Sequence, residues 1–112
     1  MLPENGYLLR IIVGERDRHQ GHALHEWVLR QAKEKGLAGA TVIRAMAGFG
    51  ANSRIHTAKI LDISVDLPII IEIIDDLPKI EEFLAFIDPS IEGGLVTVEK
   101  VHIRLYRSKK QG

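Results

Sequence analysis

The stretch Leu67-Pro68-Ile69-Ile70-Ile71-Glu72-Ile73-Ile74, followed by Asp75-Asp76, decides the fold. It is rich in β-branched residues and reads as a strand from Leu67 to Ile74. With Pro68 and Glu72 inside it, it is too short to span a bilayer. Side chains alternate along a strand. Ile70, Glu72 and Ile74 therefore share one face, and Ile69, Ile71 and Ile73 share the other. The run from Tyr7 to Val13 has the same two-sided character. Leu8, Arg10 and Ile12 oppose Tyr7, Leu9, Ile11 and Val13.

The rest of the chain falls into place around these two strands. Gly14 to Gly21 reads as a polar loop. Residues 22–35 follow helical spacing, with Leu24, Val28 and Ala32 on one stripe and Trp27 beside it. Gly36 is suited to a helix C-cap after Lys33 and Lys35. Thr41 to Ala47 reads as another strand, and an irregular polar stretch runs from about Gly48 to Asp66. Asp75-Asp76 caps a second helix with Pro78 in its first turn. Its apolar face is Ile80, Phe83, Leu84 and Ile87, and Asp88-Pro89 stops it. The turn Glu92-Gly93-Gly94 leads into a final strand, read here as Leu95 to Tyr106. Arg107 to Gly112 is a basic polar tail.

The order is β-α-β-β-α-β. Two right-handed crossovers of this kind give an α+β ferredoxin-like split sheet with both helices on one face. The helices cover only one of two apolar faces. An open apolar face of that size is unusual for a monomer, so the expectation is that further subunits cover it. Arg10 and Glu72 sit on that open face, on strands that are neighbours in this topology, and are expected to pair with each other or across subunits.

Composition narrows the function. The 112 residues suggest one domain, 1–112, with a core of about 7–106. At 46% hydrophobic the chain can build a core. Lys plus Arg and Asp plus Glu both number 15, so the basic excess of a dedicated nucleic-acid binder is missing. There is no cysteine, which excludes thiol catalysis and thiolate metal sites and suits the cytoplasm. The first residues do not read as a signal peptide and no stretch reads as a membrane span.

Catalytic constellations are not legible. Ser53, Ser64 and Ser90 lie outside any Gly-x-Ser-x-Gly elbow, and the carboxylate pairs fall at helix starts or on solvated faces. His19, His22 and His25 recur every three residues near a helix start. A helix would bring His22 and His25 to neighbouring positions, which offers a metal-site alternative, although His-Glu-x-x-His is absent. The stretch Gly48-Phe49-Gly50-Ala51-Asn52-Ser53-Arg54-Ile55-His56 is the better candidate. Glycines let a ligand approach main-chain N–H groups, and Arg54 and His56 are anion binders beside them. It lacks the third glycine of a dinucleotide fingerprint and leads into no helix. RNA-recognition modules share the element order, but Phe49 has no aromatic partner and sits on the wrong strand.

At Gly48-Phe49-Gly50 the chain resembles the PII signalling proteins, whose long T-loop leaves the second strand through a similar stretch. Glu92-Gly93-Gly94-Leu95-Val96-Thr97-Val98 resembles their B-loop in placement. A closer resemblance, over nearly the whole chain, is to the PII-like family called domain of unknown function 190. Its matching segments include Gly14-Glu15-Arg16-Asp17-Arg18, Gly36-Leu37-Ala38-Gly39-Ala40-Thr41-Val42, Ser53-Arg54-Ile55-His56-Thr57-Ala58 and Glu92-Gly93-Gly94-Leu95-Val96-Thr97.

The resemblance implies a homotrimer with the sheets inside. It implies an adenine nucleotide (ATP, ADP or AMP, with or without magnesium) in clefts between subunits. The binding residues it implies are Gly48, Phe49, Gly50, Ala51, Asn52, Ser53, Arg54 and His56, with Gly93, Gly94 and a last-strand Arg104. It further implies a non-enzymatic cytoplasmic regulator acting through a T-loop-like segment at about 50–66, with a membrane transporter as a candidate partner. Leu95 stands where PII proteins carry a phosphate-binding lysine, so Arg54, Arg18 or His56 must supply charge there. The T-loop-like segment has no tyrosine, so uridylylation of the PII type is not expected. Two alternatives stand beside this reading. One is a metal-binding trimer resembling copper-tolerance proteins. The other is an enzyme acting on a small phosphorylated metabolite.

Overall fold

A computed structural model describes residues 5–49 and 66–109, together with the backbone of 56–57. The two strands apolar on both faces are its centre. β1 (Asn5–Gly14) is followed by two short strands, β2 (Arg18–His19) and β3 (His22–Ala23), and by α1 (Leu24–Glu34). β4 (Ala40–Arg44), β5 (Ala47–Gly48) and β6 (His56–Thr57) come next, then β7 (Pro68–Asp75), α2 (Leu77–Ile87) and β8 (Leu95–His102). A 3-10 turn, Asp88–Ser90, ends α2.

The main sheet has the order β4-β7-β1-β8, with every pairing antiparallel. This is the ferredoxin-like split sheet. Leu9, Ile11 and Val13 of β1 and Ile69, Ile71 and Ile73 of β7 are buried. They pack with Leu24, Val28 and Ala32 of α1 and Ile80, Phe83 and Ile87 of α2 in one core. Burial of such aliphatic and aromatic side chains stabilises the fold by about 1.5–3 kcal/mol each, before conformational entropy is set against it. The helix stripe 24/28/32 and the strand alternation are both as expected.

Among the described residues no helix lies on the opposite face. Register places Leu8, Arg10 and Ile12 beside Ile74, Glu72 and Ile70 on one side and beside Glu99, Thr97 and Leu95 on the other. Arg10 reaches Glu72 Oε2 at 2.9 Å from both Nε and Nη2, and Glu99 at 3.5 Å. The expected pair therefore forms within one chain. Around it the face is aliphatic, and Ile43, Ile74 and Leu95 are exposed on it.

Three boundaries differ from the sequence reading. The first helix starts at Leu24 rather than at residue 22, because Gln20 and Gly21 both have positive φ and fold 18–23 into a hairpin. The Leu24 N–H is met by the Asp17 carbonyl at 2.8 Å instead of by a side-chain cap. The second strand breaks after Arg44, and its Ala47–Gly48 portion pairs with β6 instead. The final strand ends at His102, where its partner β1 begins. Residues 103–109 therefore run without regular structure, held by the Tyr106 hydroxyl donating to the Ala38 carbonyl at 2.6 Å.

α2 starts as expected. Asp76 accepts from the Lys79 N–H at 2.9 Å. Asp75 is 2% exposed and is satisfied by the N–H groups of Ala38 and Asp76, at 2.9 and 2.7 Å.

Gly94 locks β8 onto β1. Its φ is +137°, and an added Cβ would collide with the Ile12 carbonyl oxygen. Gly94→Ala is expected to destabilise the protein by roughly 2 kcal/mol or more, because strain and collision act together. Urea denaturation followed by circular dichroism measures it; an unchanged midpoint would show that the turn relaxes freely.

Candidate functional site

The element directions decide which candidate residues meet. β4 runs toward the end of the sheet where Arg44 faces Ile69, and β7 begins at that same end with Pro68 opposite Gly14. Gly48 lies against the Pro68 ring, where a Cβ would stand 3.0 Å from Cγ. Gly94 lies against Ile12, two residues before Gly14, and Leu95 pairs with Ile12. The Gly48-Phe49 exit and the Gly93-Gly94 turn thus lie at one end of the sheet, where Gly48 touches β7 and Gly94 touches the neighbouring strand β1. Phe49 is 66% exposed there, and Gly48 pairs with His56 through the backbone. Gly50, Ala51, Asn52, Ser53 and Arg54, and the His56 side chain, lie outside the described residues, as does most of the segment 50–66.

A turn at the end of β1 organises this edge. Asp17 accepts from the Gly14 N–H at 2.9 Å, Asp66 accepts from the Arg16 N–H at 2.8 Å, and the Glu15 N–H donates to the Leu67 carbonyl at 2.8 Å. Both carboxylates crowd Gly14, leaving no room for a side chain: a Cβ would lie 2.8 Å from one Asp66 oxygen and 3.2 Å from Asp17. Arg44 clasps Glu15 with two nitrogens, at 2.8 and 3.2 Å. This turn was read from sequence only as a polar loop. The alternation of acidic and basic residues in Glu15-Arg16-Asp17-Arg18 was its signal.

Arg104 lies elsewhere. β8 carries the chain away from Gly94 by roughly 24 Å, at about 3.4 Å per residue. Arg104 follows the end of that strand instead of lying on it, two residues past His102. There the chain after β8 and the open sheet face enclose a cleft of about 660 Å³. Ile74, Val101, Ile103, Leu105 and Tyr106 give it apolar walls, and Thr41, Glu72 and Arg104 supply polar groups. Glu72 is neutralised by Arg10, whereas Arg104 has no hydrogen-bond or ion-pair partner among the described residues. The volume falls within the range of small-molecule sites.

The histidines do not share a helix face. His22 stands opposite His19 across the hairpin, and only His25 is on α1. The His19 ring packs on Trp27 with centroids 4.3 Å apart, and Trp27 stacks on Phe86. That arrangement ties the hairpin to both helices. Among the described residues no three His, Cys, Asp or Glu side chains are placed to hold a metal ion, and no helix is long and apolar enough to cross a membrane.

Comparison with known proteins follows the fold. The model of the family DUF190, described as "Uncharacterized ACR", matches residues 6–103. A UPF0166 protein of Aquifex aeolicus is 41% identical over 96 residues, spanning 86% of this chain and 90% of that protein. A UPF0166 protein of Methanocaldococcus jannaschii is 29% identical over 97 residues, spanning 86% and 89%. Among solved structures, CPII from Thiomonas intermedia K12 superposes with a TM-score of 0.67 at 18% identity, covering 88% of each chain. That protein is a nitrogen regulatory PII-like protein solved with ADP, AMP and bicarbonate. At this identity the likeness establishes the fold alone: the chain has a PII-like fold.

The cleft wall rests on one hydroxyl. Tyr106→Phe is expected to leave the melting temperature nearly unchanged. A net hydrogen bond of about 1 kcal/mol raises the detached population about fivefold. Trypsin cleavage after Arg104 and Arg107 should accelerate in proportion, read by mass spectrometry. An unchanged rate would remove the latch.

Proposed function

The chain belongs to the DUF190 family, and from that membership we propose that it is a PII-like regulatory protein that binds an adenine nucleotide between subunits of a homotrimer. The observation that carries the reading is the separation of two half-sites. Gly48, Gly93 and Gly94 stand at one end of the sheet, and the cleft with Arg104 stands at the other. An uncovered apolar face lies between them.

A heterologous contact that sets the first end of one copy against the second end of the next closes into a ring. It covers the apolar face and completes a site at every junction. In this arrangement the apolar walls of the cleft take the adenine. N–H groups of the Gly48 and Gly93 segments meet the phosphates, with Gly50 to Arg54 and His56 alongside. Arg104 of the adjoining copy adds positive charge. Magnesium, if bound, travels with the phosphates, since it prefers oxygen ligands and keeps its waters. CPII, which shares the fold, was solved with ADP and AMP, and this supports the choice of ligand class.

The role proposed is regulation in the cytoplasm instead of catalysis. The segment 50–66 begins at the nucleotide site and is the element proposed to contact a partner, a membrane transporter being the first candidate. Ligand-dependent docking of such a segment is a known switching route.

One experiment tests both parts. Titration calorimetry with ATP, ADP and AMP, with and without magnesium, is paired with sedimentation velocity. One nucleotide per protomer on a trimer is expected. Ile70→Asp places a charge on the open face and is expected to give a folded monomer that binds at least about tenfold more weakly. A monomer that binds as tightly as the wild type would sink the intersubunit site.

A further inference from the structure

We infer that Arg16 is the side chain that meets the anionic end of the bound nucleotide, and that Asp66 positions it for that contact; this rests on the nucleotide reading above. The sheet end that gathers Gly48 and Gly94 has three arginines among the described residues. Arg44 is held by Glu15 through two nitrogens, and Arg18 donates to the Gly21 carbonyl at 3.1 Å. The Arg16 side chain is exposed and has no partner among the described residues. Its guanidinium is therefore the one of the three left for a ligand.

The backbone beneath it is fixed. Its N–H donates to Asp66 Oδ1, and the neighbouring Glu15 N–H donates to the Leu67 carbonyl. The Asp17 N–H closes the turn onto the Gly14 carbonyl at 3.1 Å. Asp66 and Asp17 accept from backbone donors around Gly14, while Glu15 pairs with Arg44. Three carboxylates and three guanidiniums thus cancel in sum but not in place: the carboxylates are all engaged within the turn, and the Arg16 guanidinium has no partner among the described residues. A side chain held on a rigid turn loses less freedom on binding than one on a loose loop. Asp66 is also where the segment 50–66 rejoins the sheet. The Arg16 backbone is therefore tied by one hydrogen bond to the return point of the proposed partner-contacting segment.

The test compares ADP with adenosine by calorimetry on the full chain. Arg16→Ala is expected to weaken ADP about tenfold or more, the scale of a hydrogen bond to a charged group, and to leave adenosine unchanged. Arg16→Lys should recover part of the loss. Asp66→Ala should weaken ADP selectively, and Asp66→Asn, which keeps an acceptor for the Arg16 N–H, should not. If the wild type binds ADP and Arg16→Ala binds it equally well, or loses ADP and adenosine alike, the assignment of Arg16 fails and the nucleotide reading survives. If the wild type binds neither, both fail. Melting temperatures of all variants separate loss of contact from loss of fold.

Discussion

The constraint on which everything else depends is the two-sided apolarity of β1 and β7. These two strands pair along eight residues and place aliphatic side chains on both faces of the sheet. Two helices bury one face. The other is left aliphatic around a single ion-paired cluster, Arg10 with Glu72 and Glu99. An ion pair in this position adds little net stability, because desolvation offsets its attraction. In the proposed ring its use is to restrict the ways of covering the face. A neighbour must leave the arginine and its carboxylates paired, which limits register and orientation.

The same two strands set the geometry of the site. Because all neighbours in the sheet run antiparallel, the exit from β4, the entry to β7 and the entry to β8 fall at one end. The entry to β4 and the exit from β8 fall at the other. Turn-forming glycines collect at the first end and the cleft with Arg104 at the second. No bending of one chain brings them together, since a strand is a stiff spacer. The split is what makes assembly and ligand binding a single problem in the proposed function. An effector that binds only the completed junction stabilises the ring by mass action.

The turn after β1 is the least conspicuous part of this design. Its acidic residues accept from backbone N–H groups instead of facing a ligand. Gly14 is small because two carboxylates occupy the space a side chain would take. Electrostatics at this edge are decided by direction, not by count. That is why formal charge, which is balanced over the whole chain, gives no warning of a site.

Sequence alone determined the element order, the helix stripe Leu24/Val28/Ala32, the Asp76 cap and the placement of Arg10 and Glu72 on one face of neighbouring strands. Each follows from a short-range rule: strand alternation, helical periodicity, or one side chain reaching a nearby backbone donor. Only the tertiary structure decided the rest. The hairpin at 18–23 took His22 off the helix because two positive-φ residues outweigh helical spacing. β8 stopped at His102, which placed Arg104 off the sheet and in a cleft wall. The placement of the Asp66 carboxylate depends on a donor fifty positions away in sequence, the Arg16 N–H. No local pattern encodes which way a carboxylate faces when its donor arrives from another strand.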